Sequence, residues 1–458
     1  MCIVCQTISV GAAALTGILP VAVPEPEALQ PIPAASSPGA AQTASIGGTM
    51  CKKLGQIRKT SADSFRCTAV GKRKSWKSIQ TATTTSTTTT TTAISTTTTI
   101  PSPIVTNVEP CKIQEKKPNQ GGSLGFPKVT TRARSIGKVQ VGILFVDFPD
   151  SPATNTTEEV LKRFSPKVEK MFENMSYGRL SVELRPVHSW VRMQKESLLY
   201  RSVRGEWNYY YFLQMLEEAI RVGTQGVDTS TWESFIVVTD SRNVMTSAFS
   251  PGPGVNVFAG GRSWANGVVL GGDFLTSSSQ VVAEVVAHEM GHTFGLPDLY
   301  PYSGTGSRYT GQFSLMGNIY AGVLELFAWE RWILNWLDDT QVVCLNSGNV
   351  RAVLNSVLDF GGQKMIVSPI SDAKALVVEV RRRGGYDMAL TEEGPLVYVV
   401  DTNQNNGYGG IKVLPINELD GNKKTAPLNL GETIEFEGIT VSYVWKTTYG
   451  DEIIVTRP

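Results

Sequence analysis

The sequence predicts an α+β chain: a twisted mixed sheet packed against helices, then a C-terminal β-sandwich, both preceded by a disordered N-terminal region. Three observations predict it. Between Lys138 and Thr293 strand-like and helix-like periodicities alternate, beyond Cys344 only short β-rich runs remain, and residues 81–100 are almost all threonine. The 458 residues are long for one compact domain. We expect a segment at 1–50, a small basic module at 51–80, a stalk and linker at 81–134, a mixed domain at 135–343 and a β-domain at 344–458.

The first fifty residues contain no Lys or Arg, and Ile8 to Val23 is an apolar stretch broken by Pro20. It is too short and too interrupted to span a bilayer as a stable helix. It looks like the hydrophobic part of a secretory signal that lacks the basic leading residues, so a secreted or cell-surface location is expected. Residues 51–77 carry Lys52, Lys53, Arg58, Lys59, Arg66, Lys72, Arg73, Lys74 and Lys77 against Asp63 alone. That charge suits an anionic wall or membrane surface, or is simply a solvated face. Cys51 and Cys67 lie in a span too short for its own core, which points to a disulfide staple in an oxidising compartment. The threonine tract cannot bury enough apolar surface to fold and reads as an extended stalk, continued by a loose linker to about Arg134. Cys111 and Cys344 bracket the next domain; they are candidates to tie its ends together, and the sequence leaves the connectivity open.

From Lys138 the elements follow in order. Val139–Val146 reads as a buried strand, and Leu161, Phe164, Val168, Phe172 and Met175 have helical spacing. Pro166 is expected to break that helix, with Ser165 capping a new turn. Tyr177-Gly178 turns the chain into an alternating strand through Leu180, Val182 and Leu184. A helix over Trp207–Val222, a strand over Phe235–Thr239 and a helix over Gln280–Thr293, capped by Ser277, Ser278 or Ser279, complete an α/β layer. The aromatic run Leu324–Leu337 is expected to be a core helix. Ala375–Val380, Leu396–Val400 and Ile439–Val444 are expected strands of the sandwich.

The chemistry concentrates in AEVVAHEMGHTFGLPDLY, residues 283–300. Residues four apart on a helix share a face, so His288 and His292 can offer two imidazoles to one metal while Glu289 meets a water on it. The chain has only three histidines, so composition alone yields this HExxH in roughly one such chain in a thousand. A hydrolytic zinc takes a third protein ligand and leaves one position open. Gly295 can end the helix in a left-handed conformation and Pro297 prevents its resumption, which lets Asp298 swing back to the metal.

The stretch HEMGHTFGLPDLY resembles the HExxHxxGxxD signature of metzincin metallopeptidases and, through GLPDLY, the immune-inhibitor-A-like family. LFVDFPD at Leu144–Asp150, SYGRL at Ser176–Leu180, VEVR at Val378–Arg381 and LVYVVD at Leu396–Asp401 extend the likeness from about Lys138 to the C-terminus. The resemblance implies a zinc endopeptidase fold with ligands His288, His292 and Asp298, Glu289 as general base, and Met316, in FSLMGN, as an apolar floor under the imidazoles. It also implies protein or peptide substrates added as a strand to a sheet edge near Trp264–Leu275, and it admits structural calcium, for which no DxDxDG loop is present and no residues are assigned. Where relatives carry an inhibitory propeptide, this chain has the small module and stalk.

A net charge of +1 argues against a nucleic-acid partner, and a monomer is expected. Glu284 is a candidate partner of His288, Tyr300, Tyr302 and Tyr320 are candidates to assist an oxyanion, and His188 reads as structural. The rival readings are a zinc hydrolase whose third ligand is Glu325, a latent form with Cys111 on the metal, and a surface adhesin or matrix-binding protein with a vestigial site.

Overall fold

Strand β1 (Ile57–Lys59) pairs antiparallel with β2 (Ser64–Val70), and β2 with β3 (Arg73–Ser78). They belong to a compact unit of their own, separate from Thr99–Pro458. Besides the backbone of these strands, the computed structural model describes residues 104–117, 122–200, 202–203, 206–207, 209–241, 248–249, 257–272, 274–303, 307–415, 423–447 and 449–458. The expected signal segment, the threonine stalk and the Cys51–Cys67 staple lie outside the described residues.

The larger unit is built from few helices and several sheets. In chain order it begins with β4 (Gly137–Asp147), α1 (Thr157–Leu161), α2 (Lys167–Met175) and β5 (Leu180–Arg192). A short hairpin, β6–β7 (Ser202–Val203 and Glu206–Trp207), leads to α3 (Tyr209–Gly223) and β8 (Trp232–Thr239). Then come β9 (Ala248–Phe249), a second hairpin β10–β11 (Val257–Ala259 and Arg262–Trp264), β12 (Gly267–Leu270) and α4 (Ser279–Thr293). The first sheet has the order β5-β4-β8-β12-β9, parallel except for β9. Both faces of its central strands are buried, which is why β4 reads as a continuous apolar run. Val139, Val141, Ile143 and Phe145 face α2 and α4, whereas Leu144 and Val146 face α3. On α3, Phe212, Met215, Leu216, Ala219 and Ile220 recur at helical spacing and cover that second face.

Four expectations are corrected here. The break before α2 occurs, but Pro166 is the capping position and makes no side-chain cap, and the Ser165 hydroxyl bonds Glu169 instead. Trp207 lies in a hairpin, and the helix begins at Tyr209. The run from Trp264 to Leu275 is not a sheet edge, because its strand β12 pairs with β8 on one side and β9 on the other. Finally, residues 104–117 and 122–134 do not form a loose linker: Val108, Cys111, Ile113, Leu124 and Ala133 are buried in the main core. A disulfide between Cys111 and Cys344, with Cα atoms 5.8 Å apart, fixes the start of this strap.

Beyond α5 (Ala328–Ile333) the chain forms β13 (Val342–Cys344), β14 (Gly348–Leu354), β15 (Met365–Ser371), β16 (Lys374–Arg381) and β17 (Gly394–Asp401). It ends with β18 (Ile411–Val413), β19 (Thr433–Phe436), β20 (Ile439–Lys446) and β21 (Asp451–Arg457). Strands β13-β15-β16-β17-β18 make one sheet and β14-β21-β20-β19 another. Leu376, Val378, Val397 and Val399 meet Val441, Ile453 and Val455 across a shared core. The alternate residues Ala375, Val377, Leu396 and Tyr398 join the core that contains β4 and α4. Residues on both sides of position 344 therefore share one interior. The aromatic segment is core, as expected, but its helix is only six residues long. Asn335, at φ 59°, ends the turn that follows it, and the indoles of Trp329, Trp332 and Trp336 donate to Leu124 O, Asp339 Oδ1 and Ser135 O.

An ionic cluster lies in this shared interior. Arg381, fully buried, donates to Glu379 Oε1 at 2.9 Å, Asp387 Oδ2 at 2.8 Å and the Glu325 carbonyl at 2.9 Å. Glu379 Oε2 accepts from the Ala328 amide and the Tyr398 hydroxyl, so α5 is bonded directly to the sheet. A buried ion pair adds little net stability over an apolar replacement, but removing one partner strands the other charge. Arg381→Met is therefore expected to lower the unfolding free energy by about 3–5 kcal/mol, read from guanidinium denaturation, and a change below 1 kcal/mol would refute this role.

Candidate metal centre

Helix α4 is buried along most of its length. Ser278 caps it by accepting from the Val281 amide, and Val282, Val285, Val286 and Met290 pack into the main core. Its end is a Schellman turn: the Leu296 amide donates to Gly291 O at 3.1 Å and the Gly295 amide to His292 O at 3.0 Å. Gly295 has φ 97°, and a Cβ there would also meet Arg132 Cγ at 2.9 Å, so both the backbone and the neighbour require glycine.

The bend brings Asp298 back over the helix. Asp298 Oδ1 lies 3.1 Å from His288 Nε2 and 3.3 Å from His292 Nε2, with all three side chains buried. Among the described residues this is the one group of three or more His, Cys, Asp or Glu placed to hold a metal ion. The tautomers follow from the other ring nitrogens: His288 Nδ1 meets Leu315 O at 2.8 Å and His292 Nδ1 meets Leu296 O at 2.7 Å. A carbonyl can only accept, so each Nδ1 carries a hydrogen and each Nε2 faces the carboxylate, where it offers a lone pair whenever that nitrogen carries no proton. Two ring nitrogens and a carboxylate oxygen converge in a buried place, and His292 Nε2 makes no hydrogen bond there. That donor set fits a cation.

Without a metal, a proton is favoured in that place. Burial opposes protonation of His292, yet the Asp298 carboxylate, joined by Glu289, raises its pKa to about 9. Burial likewise pushes Asp298 upward, and the two imidazoles override it and hold the carboxyl well below the usual range. Glu289 follows His288 directly and is 2% exposed.

Of the other residues singled out from sequence, Met316 is fully buried and lies so close to α4 that a Cβ on Gly291 would come within 2.5 Å of its sulfur. The Leu299 amide donates to Met316 O at 2.9 Å, tying the Asp298 bend to the methionine turn. Glu284 accepts from Gln280, and backbone carbonyls take the place by the imidazoles expected for it. His188 is bonded to Thr157 and Glu158. Glu325 pairs with Arg331 and accepts from the Tyr386 amide, so the rival third ligand is committed elsewhere. Cys111 is in its disulfide and offers no thiol to a metal. The Tyr300 ring lies 5.9 Å from the His288 ring, tilted by 30° to it, and Tyr320 is exposed.

Sequence reasoning did not find Asn406, whose Oδ1 accepts from the Asp298 amide at 2.7 Å, and it could not choose Tyr302 among the tyrosines. Nothing in NQNNGYGG distinguishes Asn406 from its neighbours; only the fold brings it across 108 positions. The strap was missed as well: the Ser123 amide donates to Gly295 O and the Ala133 amide to Thr293 O.

An imidazole whose folded pKa exceeds its unfolded value of 6.5 stabilises the fold fully below pH 6.5, and that contribution fades as pH rises through about 9. The metal-free protein is thus expected to lose melting temperature across this window, and a His292→Ala variant to lose less. Differential scanning fluorimetry from pH 6 to 9.5 checks it, and parallel curves for the two proteins would refute it. Compared with known proteins, the chain matches no protein-family model and no curated protein.

Proposed function

We propose that the chain is a secreted zinc-dependent endopeptidase of the metzincin type that hydrolyses peptide bonds in protein substrates. The observation that carries this reading is the convergence of His288, His292 and Asp298 on one point, directly beside Glu289. Two imidazoles and a carboxylate are a borderline-soft donor set suited to zinc. Zinc, when bound there, lowers the pKa of water toward 7 and polarises a carbonyl.

The residues of the chain do the rest. His288 and His292 are oriented because their Nδ1 hydrogens are held by Leu315 O and Leu296 O, which leaves each Nε2 to the metal. Glu289 takes a proton from the attacking water and returns it to the departing amine. Met316 and the apolar face of α4 keep bulk water from beneath the rings. The disulfide supports an oxidising, extracellular setting. The parallel sheet backing α4 supports a metzincin-like half, and the two facing C-terminal sheets support a β-sandwich fused to it. No calcium site is assigned.

Glu289→Ala is expected to keep stoichiometric zinc and lose about 10²–10⁴-fold in the rate of casein cleavage, whereas His292→Ala is expected to lose the metal. Metal analysis beside a fluorescent casein assay reads both. Wild-type cleavage by Glu289→Ala would remove the general base, and no cleavage by the zinc-loaded wild-type protein would favour the adhesin reading.

A further inference from the structure

Both oxygens of Asp298 are engaged, and by different groups. Oδ1 faces the imidazoles, while Oδ2 accepts from the Tyr302 hydroxyl at 2.5 Å, within the range of a charge-assisted O–H···O⁻ bond. Tyr302 is in turn held by Asn406, whose Nδ2 donates to the phenol oxygen at 2.5 Å and whose Oδ1 takes the Asp298 amide at 2.7 Å. The same loop closes the arrangement from below: the Gly407 amide donates to Asp298 O and the Tyr302 amide to Gly407 O. Gly407 is needed there, since it has φ 73° and a Cβ would come within 2.4 Å of the Tyr302 ring.

From this geometry we propose that Tyr302 and Asn406 are positioning residues that restrict Asp298 to one-oxygen coordination. Tyr302 occupies Oδ2 and so leaves Oδ1 alone to a metal. Asn406 fixes the phenol and the Asp298 backbone together, so neither can rotate without breaking two bonds. One-oxygen ligation with two imidazoles keeps a tetrahedral site with its fourth position open for water or substrate. Two-oxygen ligation would fill that position. The C-terminal loop thus controls how many coordination positions the site retains. This inference rests on the metal-centre reading above.

The test uses the full chain, loaded separately with Zn²⁺ and with Co²⁺, whose visible spectrum reports coordination number. Tyr302→Phe keeps the ring against Gly407 and removes only the hydroxyl, and Asn406→Ala is the second variant. Both are expected to melt like wild type when metal-free and to bind zinc about 10–100-fold more weakly. The cobalt form of Tyr302→Phe is expected to show the weaker, shifted absorption of a higher-coordinate site, and its kcat is expected to fall more than its KM changes. Wild-type zinc affinity together with a wild-type cobalt spectrum in Tyr302→Phe would overturn the proposal and leave the metal-centre reading standing. Lower metal-free melting in both variants with an unchanged cobalt spectrum would also overturn it, by making these residues packing elements. Failure of the wild-type chain itself to bind either ion removes the metal-centre reading, and this inference with it.

Discussion

Acceptors do not face one another in a protein interior unless something positive lies among them. Asp298 Oδ1 and the two Nε2 atoms lie 3.1–3.3 Å apart with their side chains buried, so the local structure depends on a cation, whether protons or a metal. The bend after α4 creates this constraint. Had the helix continued, Asp298 would sit about 9 Å further along the axis than His292 and well around the cylinder from it. The turn at Gly295 reverses the chain instead, and the carboxylate returns to the face it would have left.

A buried bend has backbone groups that no helix or strand satisfies, and burial requires that they be paired. Here the partners come from far along the chain. The strap supplies the Ser123 and Ala133 amides to Gly295 O and Thr293 O, the methionine turn supplies Met316 O to the Leu299 amide, and the C-terminal loop supplies the Gly407 amide to Asp298 O. The site is therefore not the property of one domain. Its helix belongs to the first sheet, but the loops that shape its bend are anchored in the second half. The Cys111–Cys344 disulfide closes a separation of 233 residues and keeps the strap against that half in the unfolded ensemble as well.

The legible parts of the molecule were those whose signal is local. HExxH, a left-handed glycine and a proline within ten residues identified α4, its end and its returning carboxylate, because each feature constrains the chain where it stands. Buried strands such as β4, β16 and β17 were legible from apolar runs. The strap was not legible. Val108, Ile113 and Leu124 are spaced without period in a Pro- and Gly-rich stretch, so nothing local separates them from a loose linker. The edge assigned near β12 failed for a related reason: pairing with the two-residue strand β9 is a tertiary fact with almost no sequence of its own. Asn406 illustrates the limit, since its role depends wholly on which atoms the fold places opposite it.

The turn beneath the imidazoles shows how far such dependence reaches. Ser314 is not a glycine, yet it has φ 71° in a fully buried position, a conformation that costs on the order of 1 kcal/mol or more. Its hydroxyl offsets that cost twice, donating to Glu330 Oε2 at 2.8 Å and accepting from the Met316 amide. Held in this way, the next residue turns its carbonyl toward His288 Nδ1 and its amide toward Leu324 O. Glu330 also accepts from the Phe327 amide at the start of α5, and its burial pushes the carboxyl up to about 7. A straight line of contacts therefore runs from α5 through Glu330 and Ser314 to Leu315 and the His288 ring. The orientation of that ring depends on a helix that carries none of the three converging side chains.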